Sequence, residues 1–196
     1  MRIDLDIVQQ WIQPESRVLD LGCGSGELLD RLTKEKQVTA YGIEIDPEKL
    51  TRCVEKRVNV IEQNLDEGLK NFDDGSFDTV VMSQTLQAVT YPHLVLEEML
   101  RVGRECIVSF PNFGYWRCRV HLGLHGHMPV SKFLPYTWYD TPNIHFCTID
   151  DFEDFCREKN IRIINRRYVT AGRDDDPLSV RWPNMLAEMA IYRLSR

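Results

Sequence analysis

The sequence has no surplus of positive charge, no closely paired cysteines and no long uninterrupted apolar run. It carries 24 Lys and Arg against 30 Asp and Glu, a formal net charge of −6. A surface that tracks nucleic-acid phosphates needs a concentrated cationic field, so nucleic acid is not the expected partner. Arg162, Arg166, Arg167 and Arg173 crowd one late segment and read as a solvated strand face or a partner surface. No apolar stretch has the length to cross a bilayer, so no membrane span is expected. The opening Met1-Arg2-Ile3-Asp4-Leu5-Asp6 has acids where a secretion signal carries a basic region and an apolar run. Cys23, Cys53, Cys106, Cys118, Cys147 and Cys156 are scattered without a CxxC pair. Reduced thiols, several of them buried, in a cytoplasmic protein are the expectation. Internal repeats, low-complexity tracts and a second βαβ series are also missing.

What is present is the balance of a soluble globular chain, 43% hydrophobic and 28% charged. A length of 196 residues supports one substantial core and is short for two, so residues 1–196 are expected to form one domain. Apolar positions Ile3, Ile7, Val8, Trp11 and Ile12 have helical spacing, and Pro14 interrupts it. Residues 17–21 read as a short strand that runs into Gly22, Gly24 and Gly26, and Leu28, Leu29 and Leu32 line the helix after it. Further strands are predicted at 38–45, 58–61, 77–82 and 105–110, with Asp46 and Pro47 opening one helix and another at about 92–101. Strands separated by helices predict an α/β fold, a doubly wound and mostly parallel sheet covered on both faces. Thr148 and Asp151 have the spacing of a capping box. Segments 161–169 and 185–194 read as closing strands, an antiparallel addition at one edge.

Residues 111–148 break this rhythm with four prolines and a run of Phe, Tyr and Trp residues. That is too aromatic for a disordered linker, and predicts an insertion that covers the sheet edge or the site, or offers anchors to a protein partner. His121, His125 and His127 lie near Gly123 and Gly126, which predict a loop, and they lack a cysteine cluster; no metal site is expected. Asp174-Asp175-Asp176 reads as a solvated turn before Pro177.

The strongest local signal is Leu19-Asp20-Leu21-Gly22-Cys23-Gly24-Ser25-Gly26. Glycines directly after a strand serve either close strand–helix packing or the approach of a ligand to backbone amides. Glu44, at the end of the second strand, has the separation expected of an acid that holds ribose hydroxyls beside such a loop. Asp46 reads as a helix cap instead. Glu27 stands where a dinucleotide fingerprint has its third glycine, and would repel a pyrophosphate. No lysine followed by serine or threonine closes the loop, so it is not a Walker A motif. Acids beside the loop suit a ligand with cationic groups and no phosphate.

This run resembles the first motif of the class I S-adenosylmethionine-dependent methyltransferases. The resemblance implies that Asp20, Gly22, Cys23, Gly24 and Gly26 surround the methionine end of S-adenosylmethionine or S-adenosylhomocysteine. Glu44, with Ile45 beside it, would hold the ribose. Residues 61–66 resemble the adenine-side motif, implying contacts from Asn64, where many members have aspartate, and from Leu65. Residues 77–86 resemble the fourth-strand motif and imply that Ser83 and Gln84 lie near the cofactor. Nearly the whole chain, through runs such as Ser83-Gln84-Thr85-Leu86-Gln87, Pro111-Asn112-Phe113-Gly114 and Met128-Pro129-Val130-Ser131-Lys132, resembles the MetW family of methionine biosynthesis proteins. That resemblance implies a partner or regulator of homoserine O-acyltransferase. The alternative is a methyltransferase acting on a small polar acceptor. His121, Tyr139, Asp140 and His145 are the candidates for an acceptor-site base if the insertion folds over the pocket, and His145 reads first as a structural hydrogen-bonding residue. No catalytic residue is assigned, and homo-oligomerisation is left open.

Overall fold

The computed structural model describes residues 3–131, 133–174 and 176–196. Helix α1 (Ile3–Trp11) precedes β1 (Arg17–Leu21), α2 (Glu27–Lys36), β2 (Thr39–Glu44), α3 (Pro47–Glu55) and β3 (Asn59–Glu62). Then come β4 (Phe77–Ser83), α4 (Pro92–Val102) and β5 (Gly103–Pro111). The aromatic-rich segment after β5 carries α5 (Trp116–His125), and α6 (Ile149–Glu158), β6 (Arg162–Thr170), β7 (Arg173–Asp174), α7 (Pro177–Arg181), α8 (Pro183–Leu186) and β8 (Met189–Ser195) follow it.

The eight strands of the described residues form one sheet in the order β3-β2-β1-β4-β5-β8-β6-β7. β1 to β5 pair in parallel, while β8 runs antiparallel between β5 and β6. The sheet is buried on both sides because successive strand residues enter different cores. Val18, Val81 and Ile107 pack with α1 and α2; Leu19, Val80 and Val108 pack with α4 and α6. Two covered faces explain why these strands read as continuous apolar runs rather than alternating ones. Strand order reverses between β1 and β4, and ligands of open α/β sheets bind outside the carboxyl ends of the strands at such a switch point.

The helix starts follow from their caps. Asp46 accepts hydrogen bonds from the Glu48 and Lys49 amides ahead of Pro47, and Thr148 and Asp151 form a reciprocal capping box. β6 shows the expected solvated face, with Arg162, Ile164 and Arg166 outward, and Arg166 pairs with Glu153 at 3.0 Å.

Two expectations need correction. The last strand starts at Met189 rather than at residue 185, because prolines at the first turns of α7 and α8 nucleate two short helices there. The expected loop around His121 and His125 is a helix: Gly126 sits at its C-terminus with φ +66° and ends it, and the two imidazoles stack with ring centroids 4.8 Å apart. Among the described residues no group of three His, Cys, Asp or Glu is placed to hold a metal ion. Asp174 pairs in β7 and Asp176 precedes α7, whereas Asp175, like Met1, Arg2 and Lys132, lies outside the described residues. No helix among them is long and apolar enough to cross a membrane.

Candidate functional site

β1 ends at the switch point, and the chain turns there through Gly22 and Gly24, with φ of +71° and +58°. These two glycines do different work. A Cβ on Gly22 would meet Thr85 at 2.6 Å, so that position is required by packing. A Cβ on Gly24 would meet nothing within 4 Å, so its backbone faces open space. Gly26 forms the left-handed N-terminus of α2 with no side-chain cap, leaving that turn's amides without a local side-chain acceptor.

Glu44 closes the loop from below. Its Oε2 accepts from the Gly24 amide at 2.8 Å; its Oε1 accepts from the Ile45 and Asp46 amides at 2.9 and 3.1 Å. A carboxylate offers about four acceptor positions, so three bonds to the main chain leave one, on Oε2. The buried carboxylate is thus both a clamp on the glycine loop and an acceptor at its edge.

Gly22, Gly24, Glu44, Ile45, Asn64, Leu65, Ser83 and Gln84 line one cavity of about 540 Å³, within the roughly 300–1,000 Å³ range of small-molecule sites. Ile45 is 57% exposed at its rim, an apolar surface open to solvent. The Asn64 side-chain carbonyl accepts from the Asp66 amide at 3.0 Å and caps the 3₁₀ turn at Leu65–Glu67. Asp66 in turn accepts from Thr90, joining the Leu65–Glu67 turn to the start of α4. Asp20, Cys23 and Gly26 do not line the cavity. Asp20 is buried on β1, and burial, then the charge of Asp20, pushes the Cys23 thiol up, so it stays protonated. The Cys53 thiol points to the Gly24 carbonyl at 3.2 Å and packs under Gly26.

The aromatic-rich segment after β5 folds over the cavity and supplies Phe133, Pro135, Tyr136, Pro142 and Asn143 to its wall. None of the suggested bases lies among the lining residues: Tyr139 is 74% exposed, and His145 lies against the Thr90 carbonyl, with Nε2 at 3.2 Å. The structure instead brings Asp4 to the end of β4. Its Oδ2 accepts from Ser83 Oγ at 3.0 Å and from Gln84 Nε2 at 3.1 Å, and Asp4 is buried. A lone acid in an N-terminal helix carried no signal for this role. No local sequence signal sets Asn112 apart either. It donates to the Asn184 and Ala187 carbonyls and accepts from the Gly114 and Ile149 amides, pinning both ends of the aromatic-rich segment.

The family model for methionine biosynthesis protein MetW matches residues 2–194. The chain belongs to the MetW family. A relative from Rhodopirellula baltica, the bifunctional methionine biosynthesis protein MetXA/MetW, is 34% identical over the whole of this chain. This MetW-family chain spans only 33% of that protein's length. Among solved structures, an S-adenosylmethionine-dependent methyltransferase from Mesorhizobium loti superposes with a TM-score of 0.69 at 16% identity, covering 98% of this chain and all of that one. Another, from Archaeoglobus fulgidus, gives 0.66 at 15% identity, covering 98% and 94%. At these identities the likeness establishes the Rossmann-like methyltransferase fold of this MetW-family member.

Proposed function

We propose that the cavity above β1, β2 and β4 binds S-adenosylmethionine or S-adenosylhomocysteine, and that the protein acts as partner or regulator of a homoserine O-acyltransferase. The binding reading rests above all on Glu44, a buried carboxylate with one acceptor position left beside an open Gly24. The residues suit the ligand. Glu44 Oε2 would take a ribose hydroxyl, Ile45 and Leu65 would flank adenine, and the amides opening α2 would face the methionine carboxylate. Asp20 and Glu44 put negative charge near a ligand that carries an ammonium and a sulfonium. The partnership reading draws support from the Rhodopirellula baltica relative, whose name joins MetXA and MetW in one chain. It implies a cytoplasmic site of action.

Calorimetric titration with S-adenosylhomocysteine tests the cavity. Glu44→Gln is expected to weaken binding by roughly tenfold or more, since a hydrogen bond to a charged group contributes about 1.5–3 kcal/mol. Unchanged affinity would remove Glu44 from the site. Copurification with the acyltransferase, and its activity with and without this chain, tests the partnership. No complex and no change in rate would end that reading.

A second reading is methyl transfer to a small polar acceptor. The Asp4, Ser83 and Gln84 cluster favours it, because it sets a carboxylate against two residues of the cavity wall. Methyl-labelled cofactor incubated with a metabolite pool should then yield a labelled product. Measured cofactor binding without any transfer would argue for the regulatory reading.

A further inference from the structure

A second cavity of about 390 Å³ lies between α5, residues 129–131 and 133–134, and the approach to β8. Phe133 lines both this cavity and the larger one. Pro129, Val130 and Leu134 give it apolar walls. Two opposite charges also line it: Arg117, exposed in the first turn of α5, and Glu188, half-buried just before β8. Among the described residues neither is joined in an ion pair. Arg117 instead lies over the Trp116 ring, 5.4 Å from its centroid. Glu188 Oε2 accepts from the Ala171 amide at 3.3 Å, which leaves acceptor positions on the carboxylate. Beside it, burial and then the Glu188 charge push the Tyr115 phenol up, so it remains a donor.

We propose that this cavity binds a small zwitterion of the α-amino-acid class, with Arg117 taking the carboxylate, Glu188 the ammonium, and the apolar wall the side chain. The charge pattern selects this class. A simple anion would meet the Glu188 carboxylate, and a simple cation would meet the Arg117 guanidinium. Only a ligand bearing both signs satisfies both groups and also fills an apolar chamber. Arg117 provides planar two-point recognition of a carboxylate. The inference concerns a different cavity from the proposed nucleoside site and does not depend on it.

The test is ligand-observed NMR followed by calorimetry, with the proteinogenic L-amino acids and L-homoserine as probes and no nucleoside present. At least one amino acid should bind saturably. Its N-acetyl derivative, which lacks the ammonium, and its methyl ester, which lacks the carboxylate, should each bind about tenfold more weakly or worse, a change of about 1.4 kcal/mol. Arg117→Gln should abolish the preference for acid over ester, and Glu188→Gln the preference for free amine over N-acetyl. Glutamine at 188 retains a carbonyl for the Ala171 amide, and the ligand derivatives test the idea on the unaltered protein. Saturation by no member of the panel, or equal affinity for parent and derivatives, overturns the proposal. Because S-adenosylhomocysteine titration is a separate measurement, failure of either site is distinguishable from failure of the other.

Discussion

Gly24 and Gly42 are one residue type in two unlike surroundings, and they should respond differently to one added methyl group. On Gly42, in β2, a Cβ would stand 2.5 Å from Cys23 Sγ and 2.9 Å from Leu29 Cδ1. Gly42→Ala should therefore destabilise by about 1–3 kcal/mol through overpacking, read as a lower urea midpoint. On Gly24 the new group has room, and the cost is the left-handed backbone, about 1–2 kcal/mol. Gly24→Ala should fold, yet lose affinity for S-adenosylhomocysteine because its methyl occupies the open space before the loop. A folded Gly24→Ala protein with parental affinity would mean that the ligand does not approach there. At this scale the glycine run and Glu44 were legible because strand, turn and acid sit at a spacing set by local geometry. Asp4 was not, since its partner Ser83 is 79 residues away, and only the placement of α1 against the sheet brings them together.

Helix termini carry their information locally, which is why the start of α6 was readable from four residues. Thr148→Ala removes one half of its capping box and should cost about 1 kcal/mol in urea unfolding. An unchanged midpoint would show that the rest of the first turn suffices. Helix α4 makes a different prediction. Arg101 donates to both Glu98 oxygens, at 2.8 and 2.9 Å, and to the Leu69 and Phe72 carbonyls, tying α4 to the loop before β4. Those bonds from Arg101 hold the Glu98 carboxyl below its ordinary 4.5, against an opposing effect of burial and with help from the Leu69 amide. A carboxyl depressed in the folded state adds stability above the unfolded value and loses it as pH falls through the folded one. Stability should decline on acidification below about pH 4.5, and Glu98→Gln should flatten that decline in urea midpoints measured across the range. Helix α5 leaves no helical signature in the sequence because Cys118 is its single buried residue. A helix with no apolar stripe toward a core has no periodicity to read.

For the whole molecule, the reversal of strand order between β1 and β4 sets where the sheet opens into the large cavity, and the aromatic-rich segment decides what encloses that cavity. The same segment has two sides. Phe133, Tyr136 and Asn143 line the cavity, while Trp138 is 76% exposed. Trp138→Ala should change stability by no more than about 0.5 kcal/mol, as surface substitutions do. If this face meets the acyltransferase, the same change should weaken that complex by about 2 kcal/mol or more, as buried aromatic anchors do. Calorimetric titration of the two proteins checks the second number, and thermal or urea unfolding the first. Equal affinity of the variant would move the contact elsewhere on the surface.

The α/β alternation, the strand that feeds the glycine turn and the acid closing that turn were written in neighbouring residues, because backbone propensity, capping and turn chemistry act over a few positions. The pairing of Asp4 with Ser83, the fourfold grip of Asn112, the covering of the cavity by the aromatic-rich segment and the meeting of Arg117 with Glu188 around one chamber were decided only in three dimensions. Each depends on how segments far apart in the chain pack on a sheet, and side-chain type alone carries no record of that distance.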